Sequence, residues 1–287
     1  MNSTVLITII SLSLLALFSA IILYFIAQKF KIIEDPRIDD VQALLPAANC
    51  GGCGFAGCRN LAEALVKADT LEGLNCPVGG ADVMSQVAKL LGKEAPIVEP
   101  MVAVLLCNGS IENRPLTSKY DGAPDCRISN SLYIGETDCS YGCLGNGDCV
   151  RACKFDAMYM NPETGLPVII DDKCVSCGAC VKACPKNIIE LRKKAKKDHK
   201  IYVACSNCDK GGIARKACKV ACTACTKCVK VCEYGAITIE NNLAYIDASK
   251  CTFCRKCVTE CPTGSILELN FPPRKNIPET RAEPVTI

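Results

Sequence analysis

Residues 218–232 read CKVACTACTKCVKVC, and residues 251–262 read CTFCRKCVTECP. Within them Cys222, Cys225, Cys228 and Cys232, then Cys251, Cys254, Cys257 and Cys261, follow one spacing, C-x2-C-x2-C-x3-C, and Pro262 closes the second run. Residues 174–185, CVSCGACVKACP, repeat it through Cys174, Cys177, Cys180 and Cys184, again followed by proline. This is the bacterial ferredoxin run, whose first three thiolates each hold one iron of a cuboidal [4Fe–4S] cluster. Structural zinc instead prefers two separated C-x2-C pairs, and three such runs in one chain make chance an inadequate account.

A fourth run emerges by alignment. Cys139, Cys143, Cys149 and Cys153 stand under Cys218, Cys222, Cys228 and Cys232, and both series step by 4, 6 and 4 residues. Cys225 then falls opposite Asn146, so the earlier run lacks a thiol, and Cys139 is the replacement its spacing offers. The flanks repeat as well: 155–160 matches 234–239, and 168–173 matches 245–250. Short apolar strands around these runs fit two tandem units of the βαββαβ bacterial ferredoxin type. In such units the fourth thiolate of each run reaches across to the partner cluster. Cys139, Cys143 and Cys149 would therefore share a cluster with Cys184, while Cys153 joins Cys174, Cys177 and Cys180. In the second unit Cys222, Cys225 and Cys228 would take Cys261, and Cys232 would join Cys251, Cys254 and Cys257.

Upstream, residues 49–59 read NCGGCGFAGCR, placing Cys50, Cys53 and Cys58 in one glycine-rich loop, with Cys76 following before Pro77. Its glycines allow positive φ and let backbone N–H groups approach cluster sulfides. Residues 61–74 and 78–91 have helical periodicity, and 95–100, with two prolines, reads as a linker. This cluster is the fifth, and together the five use twenty of the 25 cysteines. Cys107, Cys126, Cys205, Cys208 and Cys218 are left over. Inert buried thiols are one reading of them; a sixth cluster drawing on Cys205, Cys208 and Cys218 is the other.

Composition narrows the chemistry further. Across 287 residues there is one imidazole, His199, no tryptophan and a net charge of +3. Histidine-based catalysis, His-containing zinc fingers and nucleic-acid binding are disfavoured together. Neither a dinucleotide-binding glycine motif after a strand nor a phosphate loop is present. An odd cysteine count cannot pair off completely in disulfides, and no secretory signal accompanies it.

Residues 1–28 carry no charge, and 5–27 are almost wholly apolar, long enough to span a bilayer as one helix. Lys29, Lys31 and Arg37 follow it, which predicts a single-pass anchor in the cell membrane with the body on the cytoplasmic side. The expected class is α+β, organised as 1–28 anchor, 29–95 small helical cluster domain, 96–200 and 201–270 ferredoxin-like units, and 271–287 a disordered tail. Several one-electron clusters on one chain make a wire. A basic run, Arg192, Lys193, Lys194, Lys196, Lys197 and Lys200, reads either as a solvated segment or as a dock for an acidic ferredoxin or anionic lipid.

The anchor, the segment 35–58 (DPRIDDVQALLPAANCGGCGFAGC), Cys76-Pro77 and the downstream runs together resemble the B subunit of the Rnf complex, a membrane-bound ferredoxin:NAD⁺ oxidoreductase coupled to ion transport. Short members of that family carry one ferredoxin unit; two are present here, with Asn146 altering the first. The resemblance implies reduced ferredoxin as electron donor and partner subunits that carry flavin, NAD-binding and ion-conducting parts. The residues alone leave open a relay that reduces a redox-sensing transcription factor or another reductase.

Overall fold

The computed structural model describes residues 3–29, 35–97 and 99–273; Lys31 and the tail from residue 274 lie outside them. Helix α1 (Ser3–Lys29) is apolar all round: its 24-residue stretch Leu6–Lys29 has a mean hydropathy of 2.7 and none of it is buried against the rest of the chain. At about 1.5 Å per residue such a helix is long enough to cross a membrane.

Three helices follow, α2 (Arg37–Leu44), α3 (Cys58–Lys67) and α4 (Gly80–Leu91). They enclose a small core in which Val41, Leu65 and Val87 are fully buried. On α3 the apolar residues Leu61, Ala62, Leu65 and Val66 line one face, so burial and periodicity agree. The helix ends at Lys67, seven residues before the 61–74 stretch of helical periodicity closes. Lys93 Nζ donates to the carbonyls of Leu65, Val66 and Ala68 at 2.8, 3.2 and 2.5 Å, a cation on the helix C-terminus. Gly92, left-handed at φ 64, ends α4 and brings Lys93 into position.

Two copies of one topology make up the rest. The first runs β1 (Met101–Leu105), α5 (Cys126–Leu132), α6 (Asp148–Arg151), β2 (Met158–Asn161), β3 (Leu166–Ile169), α7 (Ala179–Ala183) and β4 (Ile189–Lys193). The second runs β5 (Lys200–Val203), α8 (Gly211–Ala217), α9 (Lys227–Val231), β6 (Ile237–Glu240), β7 (Leu243–Ile246), α10 (Lys256–Glu260) and β8 (Ile266–Leu269). Each copy closes its first strand on its last, β1 with β4 and β5 with β8, and folds its middle strands into a hairpin, β2–β3 and β6–β7, all antiparallel. Setting α5 and α8 aside, the order is βαββαβ twice.

The copies abut where the chain leaves β1 and β5. Asn108 N donates to Ala204 O at 2.9 Å and Ser206 Oγ to Leu106 O at 2.9 Å, beside the buried Val104, Tyr202 and Ala204. The basic run lies in this seam. Arg192 is buried, pairs with Glu190, lies over the Tyr245 ring and donates to Ile246 O; Lys200 pairs with Asp171, Lys193 with Glu99 and Lys194 with Asp198. Four of its six cations are thus engaged in ion pairs, and two of those cations are buried, which removes them from a docking surface.

Candidate metal centres

Cluster-binding loops need backbone N–H groups turned inward, which L-residues resist because it requires positive φ. In every run the residues on both sides of the second cysteine position adopt it. Ser176 and Gly178 flank Cys177 at φ 53 and 72, Ala224 and Thr226 flank Cys225 at 51 and 64, and Phe253 and Arg255 flank Cys254 at 59 and 64. Gly145 and Gly147 flank Asn146 at φ 78 and 77, so the earliest run keeps the loop conformation although its thiol is missing. Left-handed Thr, Phe and Arg each cost on the order of 1 kcal/mol, a strain held where function requires the geometry.

Around these loops the thiols gather in fours. Cys50, Cys53, Cys58 and Cys76 line one cavity; Cys153, Cys174, Cys177 and Cys180 a second; Cys222, Cys225, Cys228 and Cys261 a third; Cys232, Cys251, Cys254 and Cys257 a fourth. Among the described residues no three Cys, His, Asp or Glu side chains converge as on a single ion, so the thiols ring a space instead of meeting at a point. That donor set fits a cuboidal cluster, one thiolate per iron, better than zinc.

Burial pushes several of the chain's thiols up, to about 11 for Cys180 and Cys228 and about 12 for Cys143, Cys149 and Cys257, with neighbouring thiols adding to it. Metal loading therefore has to displace protons. Backbone amides oppose burial: Gly79 N donates to Cys76 Sγ at 3.3 Å. At Cys261, burial is outweighed by the Thr263 hydroxyl and by the amides of Thr263, Ser265 and Ile266, and the thiol falls below its ordinary value.

Cys139, expected with Cys143, Cys149 and Cys184, lines a cavity at the seam between the two copies together with Cys107, Cys205 and Cys218, and none of those three expected partners lines that cavity. Cys149 feels the charge of Cys184, of Cys126 at the start of α5, and of Cys180. Burial raises the Cys126 thiol, while the amides of Asp148 and Asn146 point at its sulfur. The sulfur thus sits on the amide of the very residue that lacks a thiol. Asp125 caps α5 by accepting from Arg127 N and Ile128 N at 2.8 and 2.9 Å, and Asp148 accepts from Cys126 N at 3.0 Å, which fixes this placement. Asn146 turns its amide to Ser129 Oγ at 3.0 Å. Cys126 lies in an insertion without a counterpart in the second copy; the absence of a thiol at Asn146 was the one signal that a cysteine from elsewhere was required. Of the trio Cys205, Cys208 and Cys218, the first and last meet at the seam, but Cys208 Sγ turns to Ser206 O at 3.7 Å.

The sets follow one another in space. The loop at Gly52 lies on Cys177, so close that a Cβ there would be 2.8 Å from the Cys177 carbonyl oxygen, and Cys50 and Cys177 feel each other's charge. Cys149 likewise senses Cys180, and Cys257 senses Cys228.

Repeated βαββαβ units with thiol-ringed cavities define an iron–sulfur electron-transfer protein. Residues 138–188 and 221–265 match the 4Fe–4S dicluster domain, and residues 45–77 match a family described as a putative Fe–S cluster. Among relatives, the chain is 42% identical over 247 residues to the B subunit of the proton-translocating ferredoxin:NAD⁺ oxidoreductase complex of Clostridium ljungdahlii, covering 86% of each chain. It is 40% identical to the B subunit of the ion-translocating oxidoreductase complex of Methanosarcina acetivorans, over 87% of this chain and 93% of that one. The match to the B subunit of the Na⁺-translocating ferredoxin:NAD⁺ oxidoreductase complex of Acetobacterium woodii is 46% identical over 78% of this chain and 66% of that protein. The chain belongs to the family of B subunits of the Rnf complex, iron–sulfur electron-transfer subunits of a ferredoxin:NAD⁺ oxidoreductase.

Proposed function

We propose that this chain is the membrane-anchored relay of an Rnf-type ion-translocating oxidoreductase: it takes electrons from reduced ferredoxin on the cytoplasmic side and passes them to membrane and peripheral partner subunits. Five [4Fe–4S] clusters would be held by Cys50, Cys53, Cys58 and Cys76; by Cys153, Cys174, Cys177 and Cys180; by Cys126, Cys143, Cys149 and Cys184; by Cys222, Cys225, Cys228 and Cys261; and by Cys232, Cys251, Cys254 and Cys257. Electrons move singly, each cluster losing what its neighbour gains, with no atom transferred. The observation that carries the reading is spatial: the thiol sets adjoin one another from the Cys50 loop, nearest in sequence to α1, into the two ferredoxin-like copies.

Ferredoxin would dock on the second copy. Of all the thiols only Cys225 and Cys254 are exposed, at loops just before α9 and α10, with Lys227 and Lys230 exposed beside them; Lys250 and Lys256 are exposed there as well but pair with Asp247 and Glu233. Exposure at the surface and positive charge coincide there, as steering of an acidic carrier requires.

The full-length chain in detergent, mixed anaerobically with reduced ferredoxin, is expected to bleach in its visible iron–sulfur absorption within one mixing experiment. An absorption unchanged by reduced ferredoxin, yet bleached by a chemical reductant, would rule the relay reading out. Protease added to inverted membrane vesicles is expected to release the body, fixing its side.

A further inference from the structure

We infer that a further [4Fe–4S] cluster sits in the seam between the two ferredoxin-like copies, held by Cys107, Cys139, Cys205 and Cys218. These four line one cavity, as the thiols of each of four other sets do. The site is pseudo-symmetric. Cys107 and Cys205 each lie two residues beyond the first strand of their copy, and Cys139 and Cys218 are the aligned thiols four residues ahead of Cys143 and Cys222. Each copy therefore contributes the same two positions, and the duplication that made the chain also made the site. Neither Cys139 nor Cys218 is needed elsewhere once Cys126 stands with Cys149 and Cys184.

A second observation is Arg114. Only 9% exposed, its side chain lines this cavity, and Nη1 donates to Cys143 O at 2.5 Å. Among the described residues no carboxylate pairs with it. An isolated buried cation is costly, and a thiolate-held anionic cluster is the counter-charge the site otherwise lacks. Asn207, 1% exposed, aims Nδ2 at Cys139 Sγ, 3.6 Å away, as a donor to a ligand sulfur.

The position also closes a gap. Cys107 and Cys143 sense each other on one side, and on the other Cys222 N donates to Cys205 Sγ at 3.3 Å. The seam site thus joins the thiol sets of the first copy to those of the second. Twenty-four thiols fall into six fours, and Cys208 alone remains.

This inference rests on the cluster-carrying function proposed above but is tested separately, by iron and acid-labile sulfide in the full-length chain, reconstituted anaerobically and desalted. The chain is expected to hold about 24 irons, four per cluster, and Cys218→Ser about 20. Cys208→Ser should leave the content unchanged. Combining Cys139→Ser with Cys218→Ser should lose no more than either alone, because both serve one cluster. Combining Cys139→Ser with Cys126→Ser should lose about eight irons, because they serve two. A wild-type content of about 20, or a Cys139→Ser/Cys126→Ser loss of only about four, would overturn the assignment. Because the wild-type count decides alone, a variant that does not fold leaves the test intact. Reduction by ferredoxin could still succeed with 20 irons, so the two readings fail independently.

Discussion

Gly52 shows how much one missing carbon matters. Its φ is not in the left-handed region, so the reason for glycine is space: a Cβ would stand 2.8 Å from the Cys177 oxygen and 2.9 Å from its Cα, backbone atoms that cannot swing away. Gly52→Ala is expected to cost about 1–3 kcal/mol of contact between the N-terminal cluster domain and the first ferredoxin-like copy. Limited proteolysis across residues 93–100 would report it as faster cleavage, with the iron content of the purified chain unchanged. Equal cleavage rates would mean that the loops separate in solution. Nothing in the sequence around NCGGCGFAGC distinguishes this glycine from Gly51 and Gly54, whose positive φ supplies the conventional explanation. The partner is 125 residues away, and pattern reading along the chain does not see it.

At the scale of elements, spacing made legible what recurs and missed what does not. The ladder of runs and the flanking repeats led to two βαββαβ copies because each strand and loop had a second instance to confirm it. Helix α5 has no such instance. It stands in an insertion, yet it carries Cys126, whose sulfur meets the Asn146 amide, while Cys139, in register with the repeat, lines the seam cavity. The basic run was misleading for a related reason: six cations in nine residues look solvated in one dimension, whereas the packing of β4 on the second copy buries Arg192 and Lys200 among acidic and aromatic partners. Asp125→Ala removes the cap that holds Cys126 in place and is expected to destabilise α5 by about 0.5–2 kcal/mol. Its signature should be selective, with one cluster's iron lost on mild chelation and the others retained. Lys93→Ala removes the cation from the C-terminus of α3, and the N-terminal cluster should then bleach in denaturant ahead of the rest, by up to about 2 kcal/mol. A single transition at the wild-type midpoint in Lys93→Ala would show that the carbonyls find other donors.

The molecule as a whole is electrically polarised, which a net charge of +3 conceals. Residues 35–99 hold nine acidic and five basic side chains, whereas residues 210–261 hold nine basic and four acidic ones. A negative carrier is therefore repelled from the end of the thiol series nearest the anchor and attracted to the other, where Cys225 and Cys254 reach the surface. Charge thus sets a direction on a wire whose chemistry has none. Steering of this kind acts on association and is screened over roughly 8–10 Å at physiological salt. Reversing Lys227 and Lys230 to glutamate is expected to slow reduction by ferredoxin about tenfold at low salt while leaving iron content unchanged. The deficit should shrink as salt is raised, until variant and wild type coincide. Reversing the exposed Asp69 and Glu72 to lysine, far along the series, should leave the rate as it was. If that second pair altered the rate and the first did not, electrons would be arriving at the anchored end, and the second ferredoxin-like copy would be the outlet toward partner subunits.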